Sequence, residues 1–191
     1  MLLASKHQYL LSWLLTKIFR KLVSKPLLAG YQLRLGTARE RAILVKFMEL
    51  TYQELFPEQN DFSHLARTVK QYFSRETPLW WVTVADRHVS RKGSTVTNSL
   101  PVGCLWMGNS VDQVNGDRYG YIFLLYVMPA HRRQGIGSAL MQHAEAWARA
   151  RGDRQLGLQV FQSNQVALNL YQRLGFRTQS LWMIKPLQRK Y

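Results

Sequence analysis

Cysteine is nearly absent from this chain: Cys104 stands alone among 191 residues, so no intramolecular disulfide can form, and a reducing, cytoplasmic setting is expected. Metal-ligand patterns are missing too. The five histidines (His7, His64, His88, His131 and His143) show neither HExxH spacing nor a CxxC partner, which excludes the common zinc sites, and no metal is expected. Acidic residues are scarce, eleven against twenty-six Lys and Arg, for a net charge of +15. That balance favours anionic partners: nucleic acid, acidic lipid, or a phosphate-bearing cofactor or substrate. No RRM or KH signature is present, which disfavours a nucleic-acid reader. Long apolar runs are lacking as well, well short of the roughly 20 residues that cross a bilayer.

What remains is 47% apolar, enough for one compact domain with a sizeable core and an appendage. Residues 1–30, MLLASKHQYLLSWLLTKIFRKLVSKPLLAG, carry five basic residues and no acidic one. Leu11, Leu14, Leu15, Ile18 and Leu22 recur at helical spacing beside Lys17, Arg20, Lys21 and Lys25, which predicts a basic amphipathic helix. Such a helix suits three roles: lying on an anionic membrane surface, packing on its own domain or on a second subunit as in a homodimer, or targeting an organelle. The domain proper is expected over 31–191.

From Tyr31 the patterns alternate. YQLRL reads as a strand, the stripe Ile43, Leu44, Phe47, Leu50 and Leu55 as a helix, and 61–75 as a second helix. LWWVTVAD and PVGCLWM read as strands around a polar loop, HVSRKGSTVTNSLP, with Cys104 as a small buried residue. An Asn-Gly turn leads into YGYIFLLYVM, apolar on both faces as a central strand is. Next come a helix with Ile136, Leu140, Ala144 and Trp147 on one face, a strand at QLGLQVF, and a helix capped at Ser163 or Asn164 and stopped at Gly175. A strand at FRTQSLWMIKP completes the order β-α-α-β-β-β-α-β-α-β, a mixed α/β architecture.

Between the central strand and its helix lies RRQGIG, residues 132–137. A glycine-rich turn feeding a helix points several backbone N–H groups one way, the helix dipole adds positive character, and arginines can grip further oxygens: the combination suits phosphate or pyrophosphate. The same residues could simply make a tight turn with solvated arginines. Neither the GxGxxG with its ribose acid nor the GK[ST] of a Walker A loop is present, so those two phosphate loops are set aside.

The run LLYVMPAHRRQGIGSALMQHAEAWA, followed by NQVALNLYQRLGF, resembles the two signature segments of the GNAT superfamily of acyl-CoA-dependent N-acetyltransferases. The first carries the [QR]-x-x-G-x-[GA] pattern, the second the N-x-x-A-x-x-L-Y-x-x-x-G-F pattern at Asn164, Ala167, Leu170, Tyr171, Gly175 and Phe176. The resemblance implies a mostly antiparallel central sheet flanked by helices, and acetyl-CoA as co-substrate with an amine acceptor. It implies that Leu125, Tyr126 and Val127 pair with the pantetheine arm, with the Val127 N–H as oxyanion donor. Arg132, Arg133, Gln134, Gly135, Ile136, Gly137 and Ser138 would hold the pyrophosphate, Asn164 would hydrogen-bond the coenzyme, and Tyr171 would protonate the departing thiolate. The acyl group would move by direct attack in a ternary complex.

The proton acceptor is where the chain departs from the family. Two positions that often carry a carboxylate there hold Gln159 and Tyr121 here; Glu54, Glu58, Asp61 or an ordered water remain as candidates. The acceptor rim is expected among Tyr52, Phe56, Trp80, Trp81, Arg91 and Lys92, without a recognisable code. A different class of function also fits these features: a non-catalytic acyl-CoA-binding module that sits on RNA or anionic membrane.

Overall fold

The structure is a computed structural model that describes residues 26–85 and 100–187. The expected basic helix and most of the polar loop between the first two long strands lie outside the described residues. The chain divides into two compact units, one up to Gln159 and one from Val160.

The first unit is a six-stranded sheet in the order β1 (Pro26–Leu28), β2 (Tyr31–Leu35), β3 (Leu79–Val84), β4 (Gly103–Val111), β5 (Arg118–Val127) and β6 (Leu156–Leu158). All neighbours run antiparallel except β5 and β6. Helices α1 (Arg41–Leu55) and α2 (His64–Tyr72) supply Leu44, Phe47, Met48, Leu65 and Val69 to a core shared with Leu79, Trp81, Cys104, Trp106, Leu124 and Tyr126. Helix α3 (Ile136–Ala150) buries Ile136, Leu140, Met141, Ala144 and Trp147, and its Trp147 meets Trp80 at 5.9 Å. Alternation along β3 therefore sends Trp81 to one helical layer and Trp80 to the other. Both are core residues, 0% and 1% exposed, and so not part of an acceptor rim. Burying each such side chain contributes about 1.5–3 kcal/mol or more.

Strand β5 is not regular. Trp106 pairs with Leu124 and Met107 with Ile122, so Phe123 is an extra residue, a β-bulge. The bulge lets the Phe123 ring lie 4.7 Å from Trp106 and 5.6 Å from Tyr72 of α2. Gly108 makes this room, since a Cβ there would run into the Phe123 ring. Past the bulge, the Met128 N–H donates to Val102 O, flanking the facing pair Val127 and Gly103. That places Val127, and Leu125 two residues earlier, at positions whose own N–H and C=O point away from β4. On that far side β6 pairs only with Gly120–Ile122, and no strand pairs with 123–127 among the described residues. The C-terminal half of β5 thus presents an open edge.

Three differences from the sequence reading stand out. Pro26–Leu28, within the basic segment, forms an edge strand against β2. QLGLQVF forms a strand over only Leu156–Leu158. In the second unit α4 (Gln165–Arg173) forms, but the residues of FRTQSLWMIKP adopt neither helix nor strand, and Leu181, Trp182, Met183 and Ile184 are exposed. A strand needs a hydrogen-bonding neighbour, and the described part of this unit has no other strand.

Candidate active site

Strand β5 ends at Val127, Pro129–His131 makes one 3-10 turn, and the chain then enters the glycine loop. Arg133 has φ 62°, the one positive value outside glycine among the described residues, and Gly135 follows at φ 83° as the N-cap of α3. Space is not what demands glycine there: a Cβ would come only to 3.8 Å from Leu28, an ordinary contact, so the left-handed backbone is the requirement. The first helical amide that finds its carbonyl is Ala139 N–H, on Gly135 O at 3.0 Å. The N–H groups of Ile136, Gly137 and Ser138 come before it in the first turn, where intrahelical acceptors do not exist. With the macrodipole behind them, they form an anion-binding end.

Side chains in this loop have separate tasks. Ile136 is core, 1% exposed, so it can contribute to a ligand only through its backbone. Gln134 Oε1 accepts the Tyr31 hydroxyl at 2.7 Å, and the same hydroxyl lies 2.9 Å from His131 Nδ1, so β2 fastens the loop from the side. Nothing in the spacing joins residue 31 to residues 131 and 134, and sequence reasoning missed Tyr31 altogether.

Arg132 does not point freely into solvent. Its Nε donates to Val127 O at 2.8 Å, and Nη2 donates to both oxygens of Glu54 at 2.7 Å. The guanidinium lies 5.4 Å from the centre of the Tyr126 ring, whose hydroxyl donates to Glu54 Oε1 at 2.8 Å. Burial, then the Glu54 bond and charge, push the Tyr126 phenol up to about 12. Of the three residues expected along the pantetheine arm, Leu125 and Val127 turn backbone groups to the open edge, whereas Tyr126 faces Cys104 across β4.

The candidate proton acceptors are differently employed. Glu54 is held by Arg132 and Tyr126. Asp61 accepts the Ser63 N–H at 2.8 Å ahead of α2, and that backbone bond holds its carboxyl below the usual range. Burial raises the Tyr121 phenol, and Gln159 is exposed just beyond β6.

In the second unit Asn164 is the N-cap of α4, its Oδ1 accepting Ala167 N–H at 3.1 Å, which leaves its amide donors for a ligand. Tyr171 sits seven residues on, about 20° round the helix from it. Burial pushes its phenol up to about 12, and its ring lies 5.7 Å from Phe176. The helix stops as the sequence predicts: Gly175 has φ 86°, Phe176 N–H returns to Tyr171 O, and Gly175 N–H to Gln172 O, a Schellman closure.

Comparison with known proteins bears on the family and the fold. The Acetyltransferase (GNAT) family model matches residues 44–176. The chain is 41% identical over 68 residues to GCN5-related N-acetyltransferase 6, chloroplastic, of Arabidopsis thaliana, covering 36% of this chain and 24% of that one. It is 42% identical over 55 residues to the [ribosomal protein bS18]-alanine N-acetyltransferase of Escherichia coli, covering 29% and 37%. These matches span well under two thirds of either relative. Among solved structures, the ribosomal-protein-alanine N-acetyltransferase of Brucella melitensis superposes with a TM-score of 0.59 at 16% identity, over 83% of this chain and 99% of that one, and shares the fold. With the family match beginning in α1 and ending on the Phe176 that closes the second motif, the chain belongs to the GNAT family of acetyltransferases.

Proposed function

We propose that the protein transfers an acetyl group from acetyl-CoA to a primary amine by direct attack in a ternary complex. The observation that carries this reading is the open edge at Leu125 and Val127 followed, after one 3-10 turn, by the loop with Arg133 and Gly135 at positive φ and the first-turn amides of α3, which lack intrahelical acceptors. An extended pantetheine amide can pair with such an edge as a strand would, and a pyrophosphate fits the amides from Arg133 to Ser138. The Val127 N–H then stabilises the thioester oxygen as it gathers charge. The amine nitrogen bonds to the carbonyl carbon, the C–S bond breaks, and the nitrogen gives up a proton to solvent water. A proton reaches the sulfur, the role the resemblance assigns to Tyr171; a phenol raised to about 12 carries its proton at every working pH.

Among amines, an α-amino group fits best. Near pH 7.5 roughly a third of it is neutral, against roughly one part in a thousand for a lysine side chain, so it needs less help to lose its proton. The alanine amine named for the E. coli relative is of this kind. Incubation with acetyl-CoA and small amines, peptides and ribosomal proteins should release CoA and yield an acetylated product visible by mass spectrometry. No turnover on any of them would sink the reading. Tyr171→Phe should lower kcat by about 100-fold while CoA binding stays intact, as loss of a general acid requires.

A further inference from the structure

We propose that Glu54 is a positioning residue for the oxyanion donor, and that Arg132 serves Glu54 and Val127 instead of the pyrophosphate. The inference rests on the acetyltransferase reading of the β5 edge. Two side chains leave β5 and the loop at either side of Val127 and end on one carboxylate. Tyr126 reaches Glu54 Oε1 through its hydroxyl, and Arg132 reaches both Glu54 oxygens through Nη2. Arg132 Nε also holds the Val127 carbonyl, which closes a ring of contacts from Val127 O through Arg132, Glu54 and Tyr126 back to the main chain. Inside that ring lies the Tyr126–Val127 peptide, whose N–H is the donor aimed at the open edge.

The arrangement is one of geometry more than stability. Arg132 and Glu54 are 37% and 41% exposed at their side chains, and exposed pairs of that kind add little to folding. A planar fork bonded on both Nε and Nη2 does fix direction, which a lysine cannot reproduce. Glu54 comes from the last turn of α1, so the helix that packs on the core also sets the angle of a peptide more than seventy residues further along. With three hydrogen bonds from two donors, the Tyr126 hydroxyl and Arg132 Nη2, already on it, the carboxylate is assigned to holding these groups and not to the base. Likewise the guanidinium is committed before any phosphate arrives, leaving Arg133 as the loop's other arginine to meet it.

Glu54→Gln, isosteric and expected to fold, tests the proposal in three ways. Its kcat should fall about tenfold, as a sub-ångström loss of alignment does, with KM for acetyl-CoA little changed and the acid limb of the pH–rate profile kept at its midpoint. Loss of that limb would make Glu54 the base and overturn the proposal. CoA affinity by calorimetry should be unchanged or slightly weaker; tighter binding would mean that Glu54 had been competing with phosphate for Arg132, and would overturn it too. In the protein without coenzyme, the Val127 amide resonance should shift in Glu54→Gln and Arg132→Lys alike, and the double variant Glu54→Gln/Arg132→Gln should be no slower than either single Gln variant. An unmoved Val127 signal, or additive losses, would refute the ring. If the wild-type protein acetylates nothing, the acetyltransferase reading falls, while the Val127 signal still decides whether the ring holds that peptide.

Discussion

Both ends of β5 carry arginines paired with carboxylates, yet the two ends are built for different work. At the start of the strand, Arg118 and Arg151 converge on Asp153, whose side chain is 1% exposed, with Arg118 Nη2 at 3.2 Å and Arg151 Nε at 3.6 Å. Arg151 also lies 3.9 Å over the Trp147 ring and donates to Asn109 Oδ1. At the other end the carboxylate, Glu54, is 41% exposed, and its partner Arg132 reaches into the backbone at Val127. A desolvated carboxylate cannot lose its partners cheaply, so the first cluster staples α3's end to β5. A wet pair is nearly neutral in stability and can be kept for where it points.

Removing one partner at each end should separate these roles, beginning with the largest expected effect. Asp153→Ala should cost about 3 kcal/mol in urea unfolding, near the low end for a broken buried pair because Arg118 can turn to solvent, with CoA affinity of the folded protein unchanged. Equal losses from Asp153→Ala and Glu54→Gln would erase the distinction. Gly135→Val forces a β-branched residue toward φ +83° or moves the loop. CoA affinity should fall at least ~100-fold, about 2.7 kcal/mol, by calorimetry. Glu54→Gln should change unfolding free energy by under about 1 kcal/mol, the range of exposed pairs, although turnover falls.

The smallest effect is a pH slope. Tyr126 has a folded pKa of about 12 against an ordinary 10, so its protonated form is favoured in the fold. Its contribution is fully present below pH 10 and disappears as pH rises from about 10 to 12. Urea midpoints should drop over that window, and Tyr126→Phe should flatten the drop; an identical slope in the variant would place the alkaline sensitivity elsewhere.

The same contrast explains which parts of the molecule were readable beforehand. Helices α1 and α3 follow from their apolar stripes, since Leu44 and Phe47, or Ile136, Leu140 and Ala144, must bury one face wherever they pack. The N-cap at Asn164 and the stop at Gly175 are equally local. The last expected strand shows the limit of such reasoning: LWMI has the right composition, but a ladder requires a neighbour that composition does not supply. Trp80 and Trp81 show another, because aromatic residues beside basic ones read as a rim and prove to be core on two faces.

By itself, then, the sequence determined what acts within a turn or two of backbone: helical periods, caps, the glycine-rich turn of the phosphate-type loop, and the two motifs that mark the family. Tertiary structure alone decided the partners. It set Arg132 on Glu54 and Val127 O, set Gln134 on Tyr31, bulged β5 at Phe123, and ended β6 early enough to leave Val127 N–H on an open edge. The physical reason is range: dihedral preference and capping act over a few residues, whereas the choice of a hydrogen-bonding partner is made among groups brought together from distant parts of the chain.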